Sequence, residues 1–110
     1  MLKLEDIRNS VQEGSVRVSD HARTGMIEEG FQPYQLPALL HNVDGTEDQP
    51  PYRLLVKLKI GERPYFAVFG RNEGSTEIYM VTFSYYRKGY YKERVPKIHD
   101  NYGEYVWEDE

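Results

Sequence analysis

The sequence predicts an α+β domain, with two or three N-terminal helices packed on one face of an antiparallel β-meander, and three observations carry that prediction. The first is the order of patterns: helical spacing of apolar residues fills the first half of the chain, and strand alternation follows it. The second is the stretch from Tyr52 to Tyr85, where three strand-like segments are separated by connections short enough to make hairpins. The third is size. A chain of 110 residues buries roughly two thirds of its unfolded surface and needs neither disulfide nor metal to form a core.

Residues 2–13 set Leu4, Ile7 and Val11 on one side of a helix, with Gly14 as its stop. Val16-Arg17-Val18 is briefly extended. Ser19 or Asp20 then caps a helix over 20–29 that turns Ala22, Met26 and Ile27 inward and ends at Gly30. Gly25 in its middle costs about 1 kcal/mol relative to alanine, so packing rather than propensity holds this helix. A third helix is expected over 35–43, where Leu36, Leu39, Leu40 and Val43 form a stripe, although Pro33 and Pro37 complicate its start. Asn42 to Pro51 reads as a loop that crosses to the sheet.

The strands are expected at 52–60, 64–70 and 77–85. In the first, Leu54, Val56, Leu58 and Ile60 alternate with Arg53, Leu55, Lys57 and Lys59, giving one oily face and one mainly basic face. Gly61-Glu62-Arg63-Pro64 and Gly70 to Ser75 supply the turns. In the last, Ile78, Met80, Thr82 and Ser84 alternate with Tyr79, Val81, Phe83 and Tyr85, as in a strand packed on both sides. Residues 1–86 form one domain on this account. Residues 87–110 are an extension, basic and aromatic and then acidic, that packs on or near it.

The charges exclude as much as they suggest. The chain has no cysteine, so it forms no disulfide, thiolate zinc site or cysteine nucleophile. His21, His41 and His99 fall at no metal-ligand spacing, Gly61, Gly70 and Gly74 mark turns rather than a phosphate loop, and no cofactor is expected. No apolar run approaches the roughly 18 residues that cross a bilayer, which predicts a soluble, cytoplasmic protein without a membrane partner. The net charge of -4 hides segregation: residues 1–51 hold four basic and nine acidic groups, 52–94 nine and four, and 95–110 one and five. A basic sheet between acidic flanks can bind a polyanion or neutralise itself within the fold.

Ser19-Asp20-His21-Ala22, after the extended Val16-Arg17-Val18 and before Met26 and Gly30-Phe31, is the most specific motif. With the strand Val81-Thr82-Phe83-Ser84-Tyr85, it resembles a bacterial domain-of-unknown-function family whose members begin with a Ser/Thr-x-His-Ala helix motif and are related to RelE/ParE-like toxins. The resemblance covers residues 5 to 86. It implies a toxin-like fold, RNA bound on the sheet, possible action on the ribosome, a cognate antitoxin as partner, and metal-independent cleavage in which a ribose 2′-hydroxyl attacks the adjacent phosphate. Gly25 and Glu29 stand where the family motif usually has arginines.

Chemistry of that kind needs proton-transfer groups and fixed cations. His21, in a first helical turn where the dipole disfavours imidazolium, together with Tyr85, Arg87 and Lys88, makes the candidate catalytic set. Arg53, Lys57, Arg63, Arg71 and Tyr79 are the candidate RNA contacts, since guanidinium forks hold phosphate bidentately. Each has an ordinary structural use as well: His21 can pin its helix to the sheet, tyrosines fill cores, and charges protect strand edges. An alternative function on the same fold is a non-enzymatic protein-binding module, using a free sheet edge or the aromatic, basic stretch after Tyr85.

Overall fold

Helix α1 (Leu4–Glu13) buries Ile7 and Val11 and is closed at both ends. The Asp6 carboxylate accepts the Lys3 backbone N–H at 3.1 Å, and Gly14 at φ 73° turns its own N–H back to the last carbonyls. In this computed structural model the described residues are 1–86, together with the backbone of 96–98 and 105–107.

The extended Val16–Val18 segment becomes strand β1 (Arg17–Val18), which pairs in parallel with residues 79 and 80. Ser19 then caps α2 (Asp20–Glu28) and ties it to the sheet at once. Its Oγ accepts the Ala22 N–H at 3.0 Å and donates to the Val81 carbonyl at 2.9 Å, while its N–H donates to the Met80 carbonyl at 3.1 Å. Ala22 and Met26 point inward as expected, but Ile27 is half exposed. Gly25, rather than Ile27, makes the tight contact: a Cβ at this position would collide with the Phe83 carbonyl oxygen.

The third helix is not continuous. A 3-10 turn at Pro33–Gln35, a single α-helical turn α3 (Leu36–Leu39) and another 3-10 turn at Leu40–Asn42 replace the helix expected over 35–43. Pro37 explains the break, because it is tolerated only in a first turn and here sits at the second position of α3. Leu36, Leu39 and Leu40 are buried nevertheless.

Most of the expected loop at 42–51 is a strand. In β2 (Val43–Gln49), Thr46 to Gln49 pair with Val56 to Arg53 of β3 (Arg53–Ile60). Its residues have poor strand propensity, and pairing with a buried neighbour overrides that preference. The meander continues through β4 (Arg63–Arg71) and β5 (Ile78–Tyr85), so the sheet order is β1-β5-β4-β3-β2. It is five-stranded and mixed, with β1 parallel. Gly61 and Glu62, both at positive φ, form the two-residue turn between β3 and β4, which matches the strands' twist. Beyond residue 86, β6 (Pro96–Ile98) and β7 (Tyr105–Trp107) pair antiparallel with each other.

One face of the sheet carries the main core. Leu54, Val56 and Leu58 of β3, Tyr65, Ala67 and Phe69 of β4, and Ile78, Met80 and Phe83 of β5 pack with Ile7, Val11, Ala22, Met26, Leu36, Leu39 and Leu40 from the helices. On the opposite face, Leu55, Phe66 and Val68 form a second, smaller cluster.

Candidate nucleic-acid interface

The alternation in β5 does not survive along the strand. Val68 faces Thr82, yet the next residue, Phe69, faces Met80, so β5 spends an extra residue at Val81. This β-bulge reverses which face successive side chains take. Tyr79 therefore lies on the face of Arg53, while Tyr85 lies on the helix-covered face beside Tyr65. The two tyrosines, expected to share a face, belong to different places.

Arg53 and Tyr79 form a buried pair, 6% and 5% exposed. An Arg53 Nη2 donates to the Tyr79 hydroxyl at 3.4 Å, and the guanidinium carbon lies 5.7 Å from the ring centroid. Both residues flank Gly70 in the strand between them. The tyrosine ring lies against Gly70, where a Cβ would come within 3.0 Å of its ring atoms, so the missing side chain is what lets the ring reach a residue two strands away. Burial works against the Arg53 charge and Tyr79 works in its favour. The expectation of an open basic face fails at this position: Arg53 is part of the interior.

Lys57 and Lys59 reach outward on the same face but toward carboxylates. Lys57 Nζ is 4.0 Å from Glu47 and 5.8 Å from the Tyr86 ring centroid, and Lys59 Nζ is 3.9 Å from Glu62. Arg71, half-buried at the end of β4, donates its backbone N–H to the Tyr52 carbonyl at 3.0 Å.

Arg63 is different. It is exposed at the hairpin end of the sheet, and its guanidinium carbon lies 5.1 Å from the Tyr85 ring centroid and 6.0 Å from that of Tyr65. Tyr85 is half-buried and meets Tyr65 edge-on at 5.8 Å; Tyr65 in turn stacks on Phe83, and Phe31 closes the group edge-on to both. A rigid aromatic floor thus holds a solvent-facing cation beside a tyrosine, within the roughly 6 Å range of a cation–π contact. Phe31 and Tyr65 had no functional signal in the sequence, because their importance depends on a contact between Phe31 and the start of β4.

His21 sits in the first turn of α2, half-buried, and burial lowers its pKa while the Glu28 carboxylate pulls the other way. The shift favours the neutral ring at pH 7, and its cause is burial rather than the helix position. Ser19, two residues before His21, is fastened at Met80 and Val81, and Val81 lies four residues from Tyr85, roughly 13 Å of strand at about 3.3 Å per residue. Arg87 and Lys88, the other two members of the expected catalytic set, lie outside the described residues, as do His99 and the extension over 87–110.

No group of three or more potential metal ligands exists among the described residues. A groove of about 520 Å³ between α1 and the 37–41 segment is lined by Arg8, Val11, Gln12, Pro37, Leu40 and His41, none of them a predicted site residue. No described helix is long and apolar enough to cross a membrane. Comparison with known protein families, with curated proteins and with solved structures finds no match.

Proposed function

We propose that this chain is a cytoplasmic, toxin-like RNA-binding protein acting as a metal-independent endoribonuclease, the toxin of a toxin–antitoxin pair. Its contact with RNA is at the hairpin end of the sheet rather than across the sheet face. The observation that carries this reading is the Arg63–Tyr85 pair, an exposed guanidinium fixed beside a tyrosine on an aromatic floor. In the sequence two further cations, Arg87 and Lys88, follow two and three residues after Tyr85.

In such a site the ribose 2′-oxygen attacks the adjacent phosphorus, the bond to the 5′-oxygen breaks, and a 2′,3′-cyclic phosphate results. Arg63 holds the phosphate and stabilises its developing charge. Tyr85 gives a proton to the departing 5′-oxygen, while the 2′ proton leaves to water. Positioned acid–base groups of this kind contribute typically about 10²- to 10⁴-fold.

The full chain, incubated with single-stranded RNA in a chelator, should release fragments ending in cyclic phosphate, and Arg63→Ala and Tyr85→Phe should abolish their release. RNA affinity should fall with rising salt, and Arg63→Ala should reduce the logarithmic slope by about 1. Absence of both cleavage and low-salt binding would favour the second reading, a protein-binding module. One observation supports that reading: β2 is the outermost strand, with no partner on its outer side among the described residues.

A further inference from the structure

Among the described residues, the second face of the sheet has a core but no helix over it. Leu55, Phe66 and Val68 are fully buried there, yet the buried helix residues all belong to the cluster on the opposite face. Among the described residues the apolar side chain packed against this cluster is that of Tyr86. Gln49, Arg53, Phe66 and Tyr79, all on this face, each engage a further hydrogen-bonding, ionic or ring partner. An apolar cluster with a buried arginine requires a cover that excludes water and supplies polar partners.

The course of the chain indicates which segment provides it. At the end of β5, the Tyr86 N–H donates to the Pro64 carbonyl at 2.9 Å, and its ring meets Phe66 edge-on at 6.1 Å beneath Lys57. The polypeptide is thus directed onto this face where the domain ends, with 24 residues still to come. Charge agrees as well. The face carries Arg53, Lys57 and Lys59 against Glu47, and residues 95–110 hold five carboxylates against a single lysine. We propose that the second face of the sheet is a docking surface whose occupant is the chain's own continuation, residues 87–110. The sheet is then closed on both sides, and RNA or any partner meets the domain at its ends and edges. The proposal stands independently of the ribonuclease reading.

The chain has one tryptophan, Trp107, and no cysteine, which allows a direct test on the full-length protein. A nitroxide quencher is attached to a single introduced cysteine, at Lys57→Cys or Lys59→Cys on the second face, or at Glu13→Cys on α1 as the control. Folding of each labelled variant is checked by its melting transition. Trp107 should lose most of its fluorescence with the label at 57 or 59, little with the label at 13, and the loss should not change on dilution. Equal quenching from both sides, or none from either, would overturn the proposal. Quenching that disappears on dilution would overturn it too, since the occupant would then be the tail of a second copy.

Discussion

The two faces of the sheet begin from the same strands and reach burial by different routes. On the helix side β3 and β4 contribute apolar residues at alternate positions and β5 adds Ile78, Met80 and Phe83, and Ile7, Val11, Met26 and the three leucines of the 36–40 segment meet them. On the other side Leu55, Phe66 and Val68 are as buried as any of these, but they share their face with Arg53, Lys57 and Tyr79. Burial is therefore not a function of local polarity. A guanidinium enters the interior when a neighbour supplies a hydroxyl and a ring face, and Gly70 makes that geometry possible.

The largest effect that tests this comparison is expected at Leu55. If the second face is a packed core, Leu55→Ala should destabilise the full chain by about 3 kcal/mol in denaturant unfolding, at least as much as Val56→Ala on the helix side. A loss under about 1 kcal/mol would mark the second face as surface.

Gly25→Ala examines how the helix side is held together. The added methyl has no room between α2 and the Phe83 carbonyl, so either the helix lifts or the strand shifts, at a cost of about 2 kcal/mol. At an exposed helical position the same change would stabilise instead, because alanine is the better helix former. The sign of the effect therefore decides whether Gly25 is a packing residue. An arginine in its place would face the same obstruction.

The smallest effect concerns His21 and appears only as pH dependence. Its folded-state pKa lies below the usual 6.5, so the unfolded chain binds the proton first as pH falls. Stability from the neutral ring is complete above about 6.5 and is lost as pH drops from there toward the folded pKa. His21→Gln should flatten this part of the stability profile between pH 7 and 5 while leaving the remainder unchanged. An unaltered slope would assign the acid sensitivity to other groups.

The candidate site shows where sequence reasoning stops. His21, Arg63 and Tyr85 were each visible as residue types in suitable segments. Their distances were not. One extra residue at Val81 in β5 separates Tyr79 from Tyr85 by a whole sheet face, and nothing in Ile78-Tyr79-Met80-Val81-Thr82-Phe83-Ser84-Tyr85 signals it, because every position suits burial on either side.

The sequence by itself determined the α+β class, helices α1 and α2 with a cap at Ser19 or Asp20, and the three-stranded meander, since apolar period, capping and turn chemistry are local properties. Tertiary structure alone decided that polar residues 43–49 become an edge strand, that β1 joins in parallel, and that Arg53 is buried while Arg63 is exposed. The physical reason is common to all three. Each outcome depends on which distant backbone or ring lies alongside, through hydrogen bonds and contacts between residues far apart in the chain, and such partners leave no trace in the local pattern of either segment.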